Sequence, residues 1–210
     1  MPAAARFITL EGGEGAGKTT LAKRLAAGIA AKGLPVLRTR EPGGAPGAEA
    51  LRALVLHSGV AWDPVAEAML MFAARREHVA KTIRPALDAG IWVVCDRFAD
   101  STLAYQCHGH RLDAQVWEQL VAVALGDFAP DLTLVLDLLP ADGMARAVAR
   151  GTPDRFERLG EAFHQRVHAG FQQIARENPG RCALLDAAQP AEEVFAAAKQ
   201  ALASRLGLLL

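Results

Sequence analysis

Little in this 210-residue sequence points to a membrane, a metal cluster or an oxidising compartment. No apolar run approaches the roughly 20 residues that cross a bilayer, and Met1 to Ala5 is too short for a secretory leader. Cysteine is scarce: Cys95, Cys107 and Cys182 stand far apart, with no C-x-x-C and no zinc spacing. They read as reduced thiols of a cytoplasmic protein. Excess charge is missing too. The 23 Lys plus Arg are matched by 23 Asp plus Glu, so no global field draws the chain to nucleic acid or to an anionic membrane. Any anion must be bound by local arrangement. Repeats and low-complexity tracts are absent, and the length suits one domain, residues 1–210, with a sizeable core. The closing Leu206 to Leu210 reads as a packed or frayed helix end.

What is present is concentrated in Phe7 to Thr20, FITLEGGEGAGKTT. Phe7 to Leu10 is a short apolar, β-branched run suited to a buried parallel strand. Gly12 to Thr19 then fits G-x-x-x-x-G-K-[ST], and an Ala/Leu-rich helical segment follows from Leu21 to Ala31. Strand, glycine loop and helix in that order form a phosphate cradle. Backbone N–H groups must close around phosphate oxygens, and Gly12, Gly13, Gly15 and Gly17 remove the Cβ atoms that would obstruct them. The helix that follows turns its positive end to the same phosphates. Lys18 is expected to reach the β- and γ-phosphates and Thr19 to help hold Mg²⁺. Glu14, Ala16 and Thr20 complete the nucleotide-binding stretch. The chain is read as binding a nucleoside triphosphate.

Beyond this loop, strand and helix patterns alternate. Val36 to Thr39 is a strand candidate, leading into the turn-rich Arg40-Glu41-Pro42-Gly43-Gly44. Ala48 to His57 and Pro64 to Leu87 read as helices, the second with Met69, Phe72, Val79 and Ile83 on a broadly apolar face. Arg75, Arg76 and Lys81 lie elsewhere on it, where a solvated face is the default reading. Ile91 to Cys95 is a buried strand closed by Asp96, a carboxylate suited to Mg²⁺; Leu132 to Leu136, closed by Asp137, is a second, read as structural. Ala141 to Arg150 and Glu161 to Arg176 read as helices around a break at Gly151-Thr152-Pro153-Asp154. Arg146, Arg150, Arg155 and Arg158 crowd that region. Such clusters are usually solvated, but in a phosphate-transfer protein a broken, arginine-bearing hairpin, about residues 141–160, suggests a lid. Cys182 to Leu185 is a last strand and Ala191 to Leu206 a last helix. This alternation argues for an α/β fold, one parallel sheet covered by helices on both faces, with the phosphate site at the carboxyl ends of its strands.

Three classes of function compete. A GTPase switch needs N-K-x-D and D-x-x-G, and neither occurs. A partition-type or other P-loop ATPase without a nucleotide acceptor remains open on the loop alone. A small-molecule kinase fits the compact size, the Arg97 beside Asp96 and the candidate arginine lid, because phosphoryl transfer needs positive charge and exclusion of water.

Several separate stretches, in order over nearly the whole chain, together resemble bacterial thymidylate kinase. They are Gly12 to Thr19, Thr39-Arg40-Glu41-Pro42-Gly43-Gly44, Met71-Phe72-Ala73-Ala74-Arg75, Asp96-Arg97-Phe98 with Ser101-Thr102-Leu103-Ala104-Tyr105-Gln106, and Pro130-Asp131-Leu132-Thr133. The resemblance implies a P-loop NTPase fold with a five-stranded parallel sheet, and ATP- and Mg²⁺-dependent conversion of dTMP to dTDP, usually by a homodimer. It implies that Phe72 stacks on thymine, although at helical spacing a core aromatic reads equally well, and that Arg75 bonds the carbonyl edge of the base. Arg97 would bind the acceptor phosphate and Asp96 would organise Mg²⁺. Ser101 and Thr102 would approach the acceptor, Tyr105 and Gln106 its sugar, and Glu14 the 3′-hydroxyl. Since the loop from Gly12 to Thr19 holds no arginine, the catalytic one would come from the lid, as Arg150 or Arg155 supported by Arg146. Cys107-His108-Gly109-His110-Arg111 departs from the glycine-rich pattern of many relatives, and its histidines read as exposed loop.

Overall fold

The apolar runs form five parallel strands in the computed structural model, which describes residues 4–57, 59–149 and 155–210. They are β1 (Phe7–Gly12), β2 (Val36–Arg40), β3 (Trp92–Asp96), β4 (Leu132–Asp137) and β5 (Cys182–Asp186), in the order β2-β3-β1-β4-β5. Every residue of β1 and β3 is buried, as expected for strands with neighbours on both edges and helices on both faces. The edge strands β2 and β5 are only partly buried. Register brings the carboxyl ends together: Leu10 and Arg40 pair with Asp96, and Gly12 pairs with Leu136.

Side-chain alternation along the strands divides the core. Ile8 and Leu10 face α1 (Lys18–Ala31) and, later in the chain, α9 (Ala191–Leu206), where Leu25, Ile29, Ala198 and Leu202 meet them. Phe7 points to the other face, stacked on Phe128 with ring centroids 5.5 Å apart and edge-on to Phe98 at 5.0 Å. That second face is covered by α3 (Pro64–His78), α6 (Ala114–Ala124) and α8 (Glu161–Glu177). The remaining helices are α2 (Pro46–His57), α4 (Arg84–Asp88), α5 (Ala99–Thr102) and α7 (Pro140–Val148). Among the described residues no helix is long and apolar enough to cross a membrane.

Three expectations from the sequence are corrected. The helix read as continuous from Pro64 to Leu87 is α3 and α4 joined by a π-helical turn at Val79–Ile83. Pro85 offers no N–H and would crowd the carbonyl four residues back, so the wider turn relieves both demands. Met69 is 56% exposed rather than packed with Phe72, Val79 and Ile83. Finally, His108 and His110 are not in an exposed loop: Leu103–Gly109 is a π-helix in which Cys107 and Gly109 are buried, and both histidines are half-buried. His108 lies across Gly170, and the His110 ring is 4.8 Å from that of Phe163.

Candidate active site

The loop from Gly13 to Gly17 is shaped by approaches that admit no side chain. Gly12 has φ +134°, and a Cβ there would lie 2.5 Å from the Leu136 carbonyl oxygen. Gly15, at φ +66°, faces Gly143 of α7, whose carbonyl oxygen would be 1.9 Å from an added Cβ. Lys18 Nζ folds back to donate to the carbonyls of Gly12 (3.1 Å) and Gly13 (2.7 Å). Burial first, and Arg97 next, push its pKa down to about 8; an anion in the loop would oppose that shift. Thr19 Oγ1 donates to Asp96 Oδ2 at 2.5 Å, so the two residues singled out for Mg²⁺ are adjacent across α1 and β3. A hydroxyl beside one carboxylate suits a small hard cation that keeps waters and takes phosphate oxygens. Among the described residues no group of three or more His, Cys, Asp and Glu could hold a metal by itself.

Arg97 stands at the centre. It directly follows β3, in the left-handed region at φ +72°, a conformation uncommon outside glycine. Its guanidinium donates to Glu14 Oε1 (2.7 Å), Tyr105 Oη (3.1 Å), Ser101 Oγ (3.2 Å) and the Gly12 carbonyl (3.1 Å). Tyr105 Oη also donates to Glu14 Oε1 at 2.7 Å. Burial alone would lower the Arg97 pKa; Glu14, with Tyr105, Asp96 and Glu11, raises it overall. Glu11, which the sequence reading passed over, holds the turn from behind. Its Oε1 accepts from the backbone N–H of Phe98 (2.7 Å) and Ser101 (3.3 Å), and its Oε2 from Ser101 Oγ (2.5 Å). Burial and then Asp100 push its pKa up to about 8.

Arg75 lies further along. Its Nε donates to Glu41 Oε2 (2.7 Å), Nη2 to the Phe98 carbonyl (2.9 Å), and both terminal nitrogens to Thr102 Oγ1 (3.2 Å). It is buried and paired, not on a solvated face. Phe72, only 2% exposed, lies in the core beneath Arg75, whose guanidinium sits 4.7 Å above its ring. Its ring is not on the cavity wall; Met71 is. The signal was available: Met71 and Arg75 are four apart and share a helix face, whereas Phe72 is turned about 100° from Met71. Gln106 donates to the buried Glu67 at 2.8 Å.

One cavity of about 870 Å³ runs along the carboxyl edge of the sheet. On the β2 and β3 side its wall includes Arg75, Arg97, Ser101, Thr102, Tyr105 and Gln106; in the middle lie Glu14 to Thr20; towards β5 come Arg146 and Ala187 to Ala191. The last of these had no sequence motif to announce them. Arg146 donates to the Ala187 carbonyl at 3.1 Å. Arg155 is not on that wall; it pairs with Glu67 and rests over the Phe156 ring. Arg150 and Gly151 to Asp154 lie outside the described residues. Asp137 is engaged by His168 Nε2 at 2.6 Å and by Gln172, in keeping with its structural reading.

Comparison with known proteins converges on one family. A family model described as thymidylate kinase matches residues 10–198. The chain is 50% identical over 203 residues to the thymidylate kinase of Caulobacter vibrioides, covering 96% of this chain and 98% of that protein. It is 49% identical over 204 residues to that of Rhizorhabdus wittichii, with 96% and 98% covered. The crystal structure of thymidylate kinase from Ehrlichia chaffeensis superposes with a TM-score of 0.78 at 33% identity, over 95% of this chain and 99% of that one.

Glu11 gives the site a stability signature. Below the ordinary carboxyl value of 4.5 it is protonated in the folded and unfolded chain alike. Between 4.5 and about 8 the unfolded chain releases that proton and the folded one keeps it, so this group's contribution falls as pH rises and levels off above about 8. Glu11→Gln removes the titration and preserves the acceptor for Phe98. Its urea midpoint relative to the parent should climb across that window; parallel curves would show that Glu11 ionises normally in the fold.

Proposed function

The chain belongs to the thymidylate kinase family, and we propose that it transfers the γ-phosphoryl group of ATP to dTMP, giving dTDP and ADP. It is a nucleoside monophosphate kinase, a transferase that uses ATP. The observation that carries the acceptor assignment is continuity. Lys18 and Thr19 share one cavity with Asp96, Arg97 and Arg75, so a triphosphate in the loop and a monophosphate on Arg97 would lie in the same space.

In this reading Gly12 to Thr20 receive the triphosphate, and the α1 amino end and Lys18 draw charge from its β- and γ-phosphates. Thr19 and Asp96 would hold Mg²⁺, which would supply positive charge to the phosphate oxygens. Arg97 takes the acceptor phosphate, exchanging one anionic partner for another, because Glu14 already occupies its Nη2. Glu14, once released, accepts from the sugar 3′-hydroxyl. Tyr105 and Gln106 border the sugar, Ser101 and Thr102 support the phosphate and base ends, and Arg75 faces the base carbonyl. Phe72 supports Arg75 from below, and Met71 supplies the apolar contact at the cavity wall.

The remaining assignments follow the same family. Residues 1–210 are one kinase domain whose segment 141–160 acts as the lid, bringing Arg150 or Arg155 to the transferred phosphoryl group with Arg146 in support. A homodimer is favoured by exposed Val65 and Met69 on α3 and by Val123, 87% exposed, on the neighbouring α6. The cytoplasm suits three free thiols, Cys95, Cys107 and Cys182.

The deciding experiment is ADP release with ATP, Mg²⁺ and each nucleoside monophosphate in turn. Release stimulated by dTMP above all others is expected; equal release without an acceptor would favour a partition-type ATPase. Arg97→Ala should raise the dTMP KM about tenfold or more, from the roughly 1.5–3 kcal/mol of a charge-assisted hydrogen bond, with the ATP KM little changed. Unaltered dTMP binding by calorimetry would remove Arg97 from the acceptor site. Single-turnover transfer by Arg150→Ala, Arg155→Ala and the double variant should slow by roughly two to five orders of magnitude if the lid supplies the arginine. Parental rates in the double variant would leave Lys18 and Mg²⁺ as the sources of charge.

A further inference from the structure

Arg75 and His78 lie three residues apart on α3, on one helix face. His78 is fully buried, at 0% exposure, and both ring nitrogens are engaged: Nδ1 with Glu41 Oε1 at 3.0 Å, and Nε2 with Thr39 Oγ1 at 2.8 Å. A carboxylate only accepts, so Nδ1 carries the proton; in the neutral ring Nε2 then accepts from the Thr39 hydroxyl. The other Glu41 oxygen receives Arg75 Nε. A continuous chain thus runs from the half-buried Thr39 through the buried His78 and Glu41 to Arg75.

Two further observations show that the chain is built with little slack. Gly44 has φ +84°, and a Cβ on it would come within 2.3 Å of His78 Nε2 and 2.6 Å of Thr39 Oγ1. The second glycine of the Pro42-Gly43-Gly44 turn therefore leaves room for that hydrogen bond. Arg75, meanwhile, has its Nε–H on Glu41, both Nη2 protons on Phe98 and Thr102, and one Nη1 proton on Thr102. Among the described residues these take four of the five guanidinium donors; the fifth remains, on a side chain that borders the cavity. Where that donor points is set by Glu41 together with Phe98 and Thr102, and Glu41 is in turn held by His78.

We propose that His78 is a positioning residue for acceptor recognition, acting through Glu41 to set the direction of the remaining Arg75 donor. The inference rests on the reading of dTMP as acceptor. A base that offers a carbonyl oxygen at that point is accepted, and one that offers an amino group meets donor with donor. A rotated Arg75 loses this discrimination without disturbing the loop that holds ATP, whose residues Gly12 to Thr19 make none of these contacts.

The test is steady-state kinetics on His78→Leu, His78→Gln and Thr39→Val. His78→Leu should raise the dTMP KM roughly tenfold, the size expected when a buried charge-assisted hydrogen bond is lost. kcat and the ATP KM should stay within about twofold, and the preference for dTMP over dCMP should shrink by a similar roughly tenfold factor. His78→Gln, whose amide can donate to Glu41 and accept from Thr39, should recover most of the loss. Added to Arg75→Ala, His78→Leu should change the dTMP KM by less than about twofold, because it acts through that arginine. A folded His78→Leu enzyme with parental dTMP KM, or losses that add in the double variant, would overturn the proposal. If His78→Leu does not fold, Thr39→Val removes only the hydroxyl that orients the imidazole; a dTMP KM raised about threefold supports the chain of contacts, and an unchanged one overturns it. Absence of dTMP-stimulated ADP release by the unaltered enzyme would instead overturn the acceptor reading itself.

Discussion

A guanidinium taken out of water needs a counter-charge at hydrogen-bond distance, and that constraint organises both ends of the strands of this sheet. Arg97 is met by Glu14, Arg75 by Glu41, and Arg181 by Asp100 at 2.6 Å. Each pair joins elements distant in sequence: the phosphate loop to the end of β3, the exit of β2 to α3, and the entry of β5 to α5. With the cations already neutralised, the cavity can stay polar and roomy without collapsing or drawing them apart.

The same constraint makes one helix face a wall of the cavity. Glu67, Met71, Arg75 and His78 follow one another along α3 at spacings of four, four and three, one stripe of the helix. Glu67 takes Gln106 on one oxygen and Arg155 on the other, Met71 and Arg75 border the cavity, and His78 bonds Glu41, the partner of Arg75. The π-helical turn begins one residue later. It displaces the phase of the helix beyond it, so Ile83 still reaches the core beside Phe7 and Phe98. A polar stripe and an apolar stripe thus coexist on one continuous helical rod.

Much of the site was legible because its chemistry is local. Gly12 to Thr19 need only their own backbone and the two elements flanking them, so the strand-loop-helix order is as read, with β1 running on to Gly12 and α1 starting at Lys18 rather than Leu21. Asp96 beside Thr19 followed from a strand-terminal carboxylate near a phosphate loop. Less legible was Phe72, an aromatic beside an arginine, which suggested stacking on a base until packing put it under the guanidinium instead. Residues 99–109 show no 3.6-residue period, since a single helical turn runs straight into a π-helix.

By itself the sequence determined the parallel α/β order, the phosphate loop and the residue types available for transfer, because strand hydrophobicity, glycine spacing and motif chemistry are properties of neighbours along the chain. Only the tertiary structure decided the partners. That Glu11 braces the Arg97 turn, that Met71 rather than Phe72 borders the cavity, that Arg155 meets Glu67, and that His78 holds Glu41 all depend on which residues the β2-β3-β1-β4-β5 order brings together. Buried charges pair across space. Their spacing along the chain, from Glu11 to Phe98 or from Glu41 to Arg75, carries no period that a sequence could display.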